Sequence, residues 1–123
     1  MATTAKKTKN SEGAAATTAF AVIKTGGKQY RVSSGTTITI EKMSDEHKVG
    51  DKVEFGEVIM RDNGSETVLG TPTIAGAKVS GEIAEIGRDA KVIIMRYKQK
   101  SRSGNAKNGH RQPHVKVLIT AIA

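Results

Sequence analysis

The sequence predicts an all-β fold: a small antiparallel β-barrel-like domain with a long basic hairpin loop, preceded by a disordered tail. The first observation behind this prediction is the choice of apolar residues, since eleven Ile and ten Val stand against two Leu, beside thirteen Thr. Branched side chains are stiff about χ1 and fit a pleated surface better than a helix. The second observation is that short apolar runs alternate with glycine-containing turns along most of the 123 residues. This length suits one domain.

The first part of the chain differs from the rest. Residues 1–18 are small, polar and basic, and they offer no apolar surface that would offset the entropy lost on ordering. We therefore expect a disordered basic tail at 1–18 and a folded domain over residues 19–123. The tail has no Arg, which argues against a transit peptide, and no apolar block follows its lysines, so a secretory signal is not expected.

The predicted strands are short and end at turn signals. Strands at 20–24 and 28–33 form a hairpin around Gly26 and Gly27, because paired glycines permit the positive φ of a tight turn. At 36–41, Ile38 and Ile40 alternate with threonines, so both isoleucines are expected in the core. The other strands are predicted at 53–60, 67–69, 78–86, 91–98 and 115–122. In the last of these, Val115, Val117 and Ile119 are expected to point inward. Residues 44–49 are expected to form at most one helical turn. Many short strands in so few residues favour a closed or nearly closed barrel, with a sandwich as the alternative.

A long polar segment separates the last two predicted strands. Residues 99–114 contain no apolar residue larger than Ala or Pro. Most connections in compact domains have about 4 to 6 residues, and longer ones without structure are usually functional or disordered. Folded back on itself, this loop would reach roughly 25 Å at about 3.3 Å per residue. We expect it to project from the domain.

The charge is divided unevenly along the chain. Residues 1–31 contain six Lys and Arg and one acid, residues 32–87 contain five and ten, and residues 88–123 contain nine and one. The net charges are +5, −5 and +8, which together give the +8 of the whole chain. Charges placed only for solubility are usually mixed in sign, so the basic C-terminal part favours a polyanionic partner over a merely solvated face.

RNA is the polyanion that the residue types favour. Lys and Arg that replace counterions on phosphates gain free energy from ion release, and about six such contacts predict a log K against log salt slope of about −4 to −5. Arg, Asn, Gln and His can bond to phosphates or base edges, and Tyr30 and Tyr97 can stack on an exposed base. For each tyrosine, a half-buried position in the barrel is an equally good interpretation.

Catalytic and cofactor motifs are incomplete. Lys28 follows Gly26 and Gly27, but the earlier glycine and the following Ser or Thr of a phosphate-binding loop are absent. His110 and His114 have a zinc-ligand spacing, yet Pro113 prevents a helix there and the chain has no Cys. We therefore expect no enzyme activity, no cofactor and no small-molecule substrate. A homo-oligomer is not expected either. No run of 18 apolar residues exists, so a membrane partner is not expected either.

Two longer motifs are specific when they occur in this order. Residues 20–32 read FAVIKTGGKQYRV, and residues 91–98 are followed by GHRQPH at 109–114. With Gly70-Thr71-Pro72 and residues 76–79 between them, the chain closely resembles ribosomal protein twenty-one of the bacterial large subunit over about residues 19–120.

The resemblance implies a structural ribosomal protein of the cytoplasmic rather than an organellar ribosome. It implies binding to large-subunit (23S-type) rRNA through the basic loop, and contact with the neighbouring ribosomal protein twenty. The RNA-contacting residues it implies are Lys24, Lys28, Tyr30 and Arg31 from the first motif and Arg96, Lys98, Lys100, Arg102, Lys107, His110, Arg111 and Gln112 from the second. The alternatives are a free RNA-binding regulator or chaperone with a small β-barrel, and a protein-interaction module that uses the acidic body.

Overall fold

The computed structural model describes residues 19–100 and 104–123, and this part of the chain contains strands and turns without an α-helix. The expected tail at 1–18 lies outside the described residues. The all-β prediction is confirmed. Among the described residues, none belongs to a helix long and apolar enough to cross a membrane. The strands are β1 (Phe20–Thr25), β2 (Lys28–Val32), β3 (Thr37–Glu41), β4 (Lys52–Phe55), β5 (Val58–Asp62), β6 (Thr67–Leu69), β7 (Val79–Arg88), β8 (Val92–Arg96), β9 (Ala106–His110) and β10 (Pro113–Ile122).

The strands form two four-stranded sheets around one core, and a separate two-stranded ribbon. The first sheet has the order β2-β1-β5-β6, the second has the order β3-β10-β7-β4, and β8 pairs with β9. All of these pairs are antiparallel. In the described residues no hydrogen-bonded ladder joins the first sheet to the second, so the domain is barrel-like and not closed.

The predicted strand at 53–60 is wrong as a single strand, because it divides at Gly56 into β4 and β5. Phe55 pairs with Val79 in the second sheet, whereas Val58 pairs with Ile23 in the first. Three residues apart on one straight strand, Phe55 and Val58 would point to opposite faces. The corner between them lets both side chains enter the core, where they are buried.

Residues 44–49 form turns and no helical turn. The backbone N–H of Lys48 donates to Oδ2 of Asp51 at 2.7 Å, and the N–H of Asp51 donates to the carbonyl oxygen of Lys48 at 3.1 Å. The aspartate side chain thus satisfies a backbone donor that a helix would otherwise have used.

The core consists almost entirely of branched aliphatic side chains, as the composition predicted. The expected inward positions of Ile38 and Ile40 in β3 are confirmed, as is the alternation of Val115, Val117 and Ile119 in β10. Tyr30 is half-buried and packs against this core. The buried apolar side chains are Ala21, Ile23, Val32, Ile38, Ile40, Val53, Phe55, Val58, Ala77, Val79, Ile83, Val115, Val117 and Ile119.

The segment 99–114 is not a structureless loop throughout. Its residues Ala106–His110 form β9, which pairs with β8 from Val92↔His110 to Arg96↔Ala106, and Pro113 already begins β10. Polar residues and glycine have low strand propensity, and the pairing partners in β8 lie ten or more residues away, so local sequence did not predict this strand. We call residues 89–112, which include this ribbon, the arm.

Candidate nucleic-acid interface

The arm is joined to the second sheet by backbone and side-chain hydrogen bonds. The ladder between β7 and β10 ends with Arg88 opposite Pro113. Beyond it, the N–H of Asp89 donates to the carbonyl oxygen of Gln112 at 2.9 Å. Nε of Arg111 donates to the carbonyl oxygen of Asp89, also at 2.9 Å. These bonds connect the two strands of the arm where it leaves the domain.

The arm exposes its positive charge to solvent. Its one acid is Asp89, at the junction. His110 and Gln112 contact each other, with Nε2 of the ring 2.9 Å from Oε1 of the amide. Arg102 lies outside the described residues. The other arm residues predicted to contact RNA are all exposed: Arg96, Lys98, Lys100, Lys107, His110, Arg111 and Gln112.

The arm also exposes apolar side chains, which sequence reasoning missed as part of a site. An unbroken apolar run such as residues 92–95 is typical of a buried strand. Here every residue of β8 is exposed, and Ile94 and Met95 are 60% and 68% exposed. Because side chains alternate along a strand and β8 joins no sheet but the ribbon in the described part of the chain, both faces of the ribbon present apolar groups. Tyr97 is 69% exposed as well.

Each face of the ribbon combines these apolar groups with a cation. Ile94 shares a face with Arg96, and Met95 lies opposite Lys107 on the other face. Contiguous exposed apolar surface usually marks an interaction site. The unbroken apolar run of β8 next to basic residues was the available signal, but only the isolation of the ribbon shows that the run is exposed.

The residues of the first motif divide between two faces of the first sheet. Lys24 and Arg31 alternate with the buried Ile23 and Val32, so they point away from the core. The guanidinium of Arg31 lies 4.3 Å from the ring centroid of Phe20, a cation–π contact that holds it against the sheet. Lys24 and Arg31 therefore lie on the opposite face of this sheet from Lys28 and Tyr30, which the same prediction grouped with them.

Lys28 and Tyr30 point the other way and meet the base of the arm. With Gln112 they line a hollow of about 170 Å³ between the edge strands β2 and β3. Nζ of Lys28 lies 3.2 Å from Oε1 of Glu41, which ties β2 to β3 across this gap. The other residues that line it are Thr39, Ile40, Glu41, Asp89, Pro113 and His114.

Glu41, Asp89 and His114 were not predicted as site residues. They come from β3, from the junction and from β10, so no local motif could group them. Nδ1 of His114 lies 2.8 Å from Oδ1 of Asp89. This contact is close but is not aligned as a hydrogen bond, and Nε2 of His114 has no hydrogen-bond partner among the described residues.

One basic residue of the C-terminal part is engaged elsewhere. Nζ of Lys116 donates to Oε2 of Glu85 at 2.7 Å, across the β7–β10 ladder. This hydrogen bond, together with the lysine charge, lowers the pKa of Glu85 below its usual value. Lys116 is therefore less available to a phosphate than the exposed lysines of the arm.

Comparison with known proteins decides the family. A sequence model described as ribosomal prokaryotic L21 protein matches residues 19–122. The chain belongs to the prokaryotic L21 family of ribosomal proteins. The chain is 48% identical to the large ribosomal subunit protein bL21 of Lactobacillus johnsonii, over 84% of its length and 97% of the relative. It is 49% identical to the protein of the same name from Methylobacterium radiotolerans, over 85% of its length and 98% of the relative.

Membership of the L21 family confirms the resemblance seen in the two end motifs. The family match begins at residue 19, where the predicted domain begins. As an L21 family member, the protein is a structural ribosomal component of bacterial type, in the cytoplasm, and is not an enzyme. The expectation of a ribosomal role over a free regulator is thus confirmed.

Proposed function

We propose that the protein binds large-subunit (23S-type) rRNA through the arm and helps to fold and pack that RNA. The observation that supports this proposal is the exposed two-stranded arm, which contains seven Lys and Arg residues and a single acid, at its base. Lys24, Lys28, Tyr30 and Arg31 of the first hairpin are proposed as additional contacts, together with Arg102 in the part of the arm that is not described.

The shape of the ribbon suggests how it acts. A two-stranded ribbon has two open faces, and each face of this one combines aliphatic side chains with a cation. Cations neutralise phosphates, while aliphatic groups pack against riboses in the wide, shallow minor groove of an RNA helix. Inserted between two RNA segments, the ribbon would offset the repulsion between their phosphates and thereby stabilise their packing.

The salt dependence of binding tests the proposal. The double variant Arg96→Gln/Lys107→Gln removes two cations from the arm, one from each strand. Binding to transcribed large-subunit rRNA should weaken, and the slope of log K against log salt should fall in magnitude by about 1.4 to 1.8. Filter binding at several salt concentrations measures both quantities.

A matched control removes the same charge from the domain. Lys48→Gln/Lys52→Gln changes two exposed lysines that lie before and in β4. We expect its slope to remain close to that of the unchanged protein. Equal losses in the two double variants would contradict a specific role for the arm and would favour non-specific attraction by net charge.

We further propose contact with the neighbouring ribosomal protein twenty. The exposed apolar side chains of β8 support it, because such groups are typical of protein contacts. A photoreactive amino acid in place of Ile93 tests it in assembled large subunits. An adduct with protein twenty is expected, whereas adducts with RNA alone would contradict a protein contact at this position.

A further inference from the structure

The domain is open where the arm begins. β2 is the edge of the first sheet and β3 is the edge of the second, so each strand pairs on one side only. An unpaired strand edge presents free backbone N–H and C=O groups. The hollow of about 170 Å³ lies between these two edges, and the ion pair of Lys28 with Glu41 spans the gap beside it.

The lining of this hollow combines an aromatic ring, a cation and hydrogen-bonding groups. Tyr30 packs against the core on one side and lines the hollow on the other. The side chain of Lys28 is 62% exposed, and that of Glu41 is 44% exposed. Both can therefore bond to a ligand without leaving the surface.

His114 is a buried polar group that borders the same hollow. Its side chain is only 12% exposed, and its ring packs on Gly87, where an added Cβ would lie 3.4 Å from two ring atoms. Nδ1 lies 2.8 Å from Oδ1 of Asp89, whereas Nε2 has no hydrogen-bond partner in the described residues. Buried polar groups nearly always have partners, so the Nε2 atom is left to be satisfied by a group outside the described residues.

We propose that this hollow binds a single unstacked nucleotide of the RNA, with the base against Tyr30 and the phosphate near Lys28. The inference rests on the proposed binding to large-subunit rRNA and adds a defined subsite to it. Proteins that recognise single-stranded RNA commonly stack splayed bases on aromatic rings and bond to their edges. The arm and the first hairpin, which are distant in sequence, then both contact the same RNA segment.

The size of the hollow favours one base of a longer chain over a free metabolite. Pockets that bind small molecules usually measure at least about 300 Å³, and this hollow is smaller. Its two carboxylates, Glu41 and Asp89, accept hydrogen bonds. Carboxylates pair with exocyclic amino groups, so the subsite can accept hydrogen bonds from the amino group of cytosine, adenine or guanine.

Zero-length crosslinking locates the contact. A complex of the full chain with transcribed large-subunit rRNA is irradiated with ultraviolet light, and nucleotide adducts are mapped by mass spectrometry. We expect an adduct on Tyr30 or His114, besides adducts on the arm at Tyr97 or His110. Adducts on the arm alone, with Tyr30 and His114 unmodified, would overturn the subsite and leave the proposed function intact.

Substitution of Tyr30 gives an independent test. Tyr30→Leu keeps an apolar group against the core but removes the ring, and we expect rRNA affinity to fall roughly 5- to 100-fold. Tyr30→Phe keeps the ring and should bind within about twofold of the unchanged protein. Neither variant loses a charge, so the salt slope should not change.

The outcomes separate the two proposals. Circular dichroism melting first establishes that both Tyr30 variants are folded at the binding temperature. If the unchanged protein binds rRNA with a strong salt dependence and Tyr30→Leu binds equally well, the subsite is wrong. If the unchanged protein has no salt-dependent affinity for this RNA, the proposed function itself is wrong.

Discussion

At the scale of single residues, Gly81 shows how closely the core is packed. It lies in the buried row of β7 between Val79 and Ile83. A Cβ at this position would lie 2.5 Å from Cγ1 of Val117 and 3.1 Å from the carbonyl oxygen of Leu118. The first neighbour is a stiff branched side chain and the second is backbone, so neither can move easily.

We expect Gly81→Ala to lower the free energy of unfolding by about 1–3 kcal/mol, because the added methyl overpacks the core. Gly56→Ala is the control, since an added Cβ there meets nothing within 4 Å and no positive φ is required. Urea denaturation compares the two. A Gly81→Ala variant as stable as Gly56→Ala would contradict the close approach of β7 and β10.

The ion pair between Glu85 and Lys116 predicts a pH dependence. The lysine hydrogen bond and charge lower the pKa of Glu85 from 4.5, so the folded state favours the charged carboxylate. Its stabilisation is present above pH 4.5 and is lost as the pH falls through the folded-state pKa. Glu85→Gln should therefore melt below the unchanged protein at pH 7, and the difference should vanish in strong acid. A difference of equal size at both pH values would contradict this account.

At the scale of elements, the arm depends on its junction. A two-stranded ribbon alone is marginally stable in water, and β8 and β9 bury no side chain. The junction bonds hold the two strands together where the ladder between β7 and β10 ends. Order in the ribbon should therefore be sensitive to a change at the junction and insensitive to a change further out.

Arg111→Gln removes the hydrogen bond from Nε to the carbonyl oxygen of Asp89. We expect faster amide hydrogen exchange in β8 and β9, with unchanged exchange in the sheets, because the ribbon loses an anchor. Lys107→Gln, which changes an exposed residue within β9, is the control and should not alter amide hydrogen exchange in β8 and β9. Mass spectrometry of peptides measures both, and identical exchange in the two variants would contradict the anchoring role.

At the scale of the whole molecule, the domain and the arm are separable. Every buried core residue lies outside the arm. Arg88 and Pro113 face each other at the end of the β7–β10 ladder, so a tight turn can join these strands directly. The domain would then supply the fold, and the basic arm would supply the affinity for RNA.

A chain in which residues 90–111 are replaced by Asn-Gly tests this division. We expect it to unfold cooperatively near the temperature of the full chain, because the core is unchanged, and to lose most of its salt-dependent rRNA affinity. Thermal denaturation and filter binding give the two results. A shortened chain that is folded and still binds with the original salt slope would contradict an RNA-binding role for the arm.

Much of the fold could be predicted because its signals are local. The alternation in β3 and β10 showed which side chains point inward, and the paired glycines at 26 and 27 showed where the first hairpin turns. The position of β9 and the division of β4 from β5 were not predictable in this way. Each depends on a partner strand that is distant in the sequence, and local propensity is a weak guide to such pairing.

By itself, the sequence determined the all-β class, the apolar composition of the core and the separation of an acidic body from a basic C-terminal part. These follow from side-chain stiffness, period-two alternation and charge, which every residue has before folding. Only the tertiary structure decided that the apolar run of β8 is exposed and that Lys28 and Tyr30 meet His114 at one hollow. Burial and proximity are properties of elements packed together, and no local pattern specifies which distant side chains will share a surface.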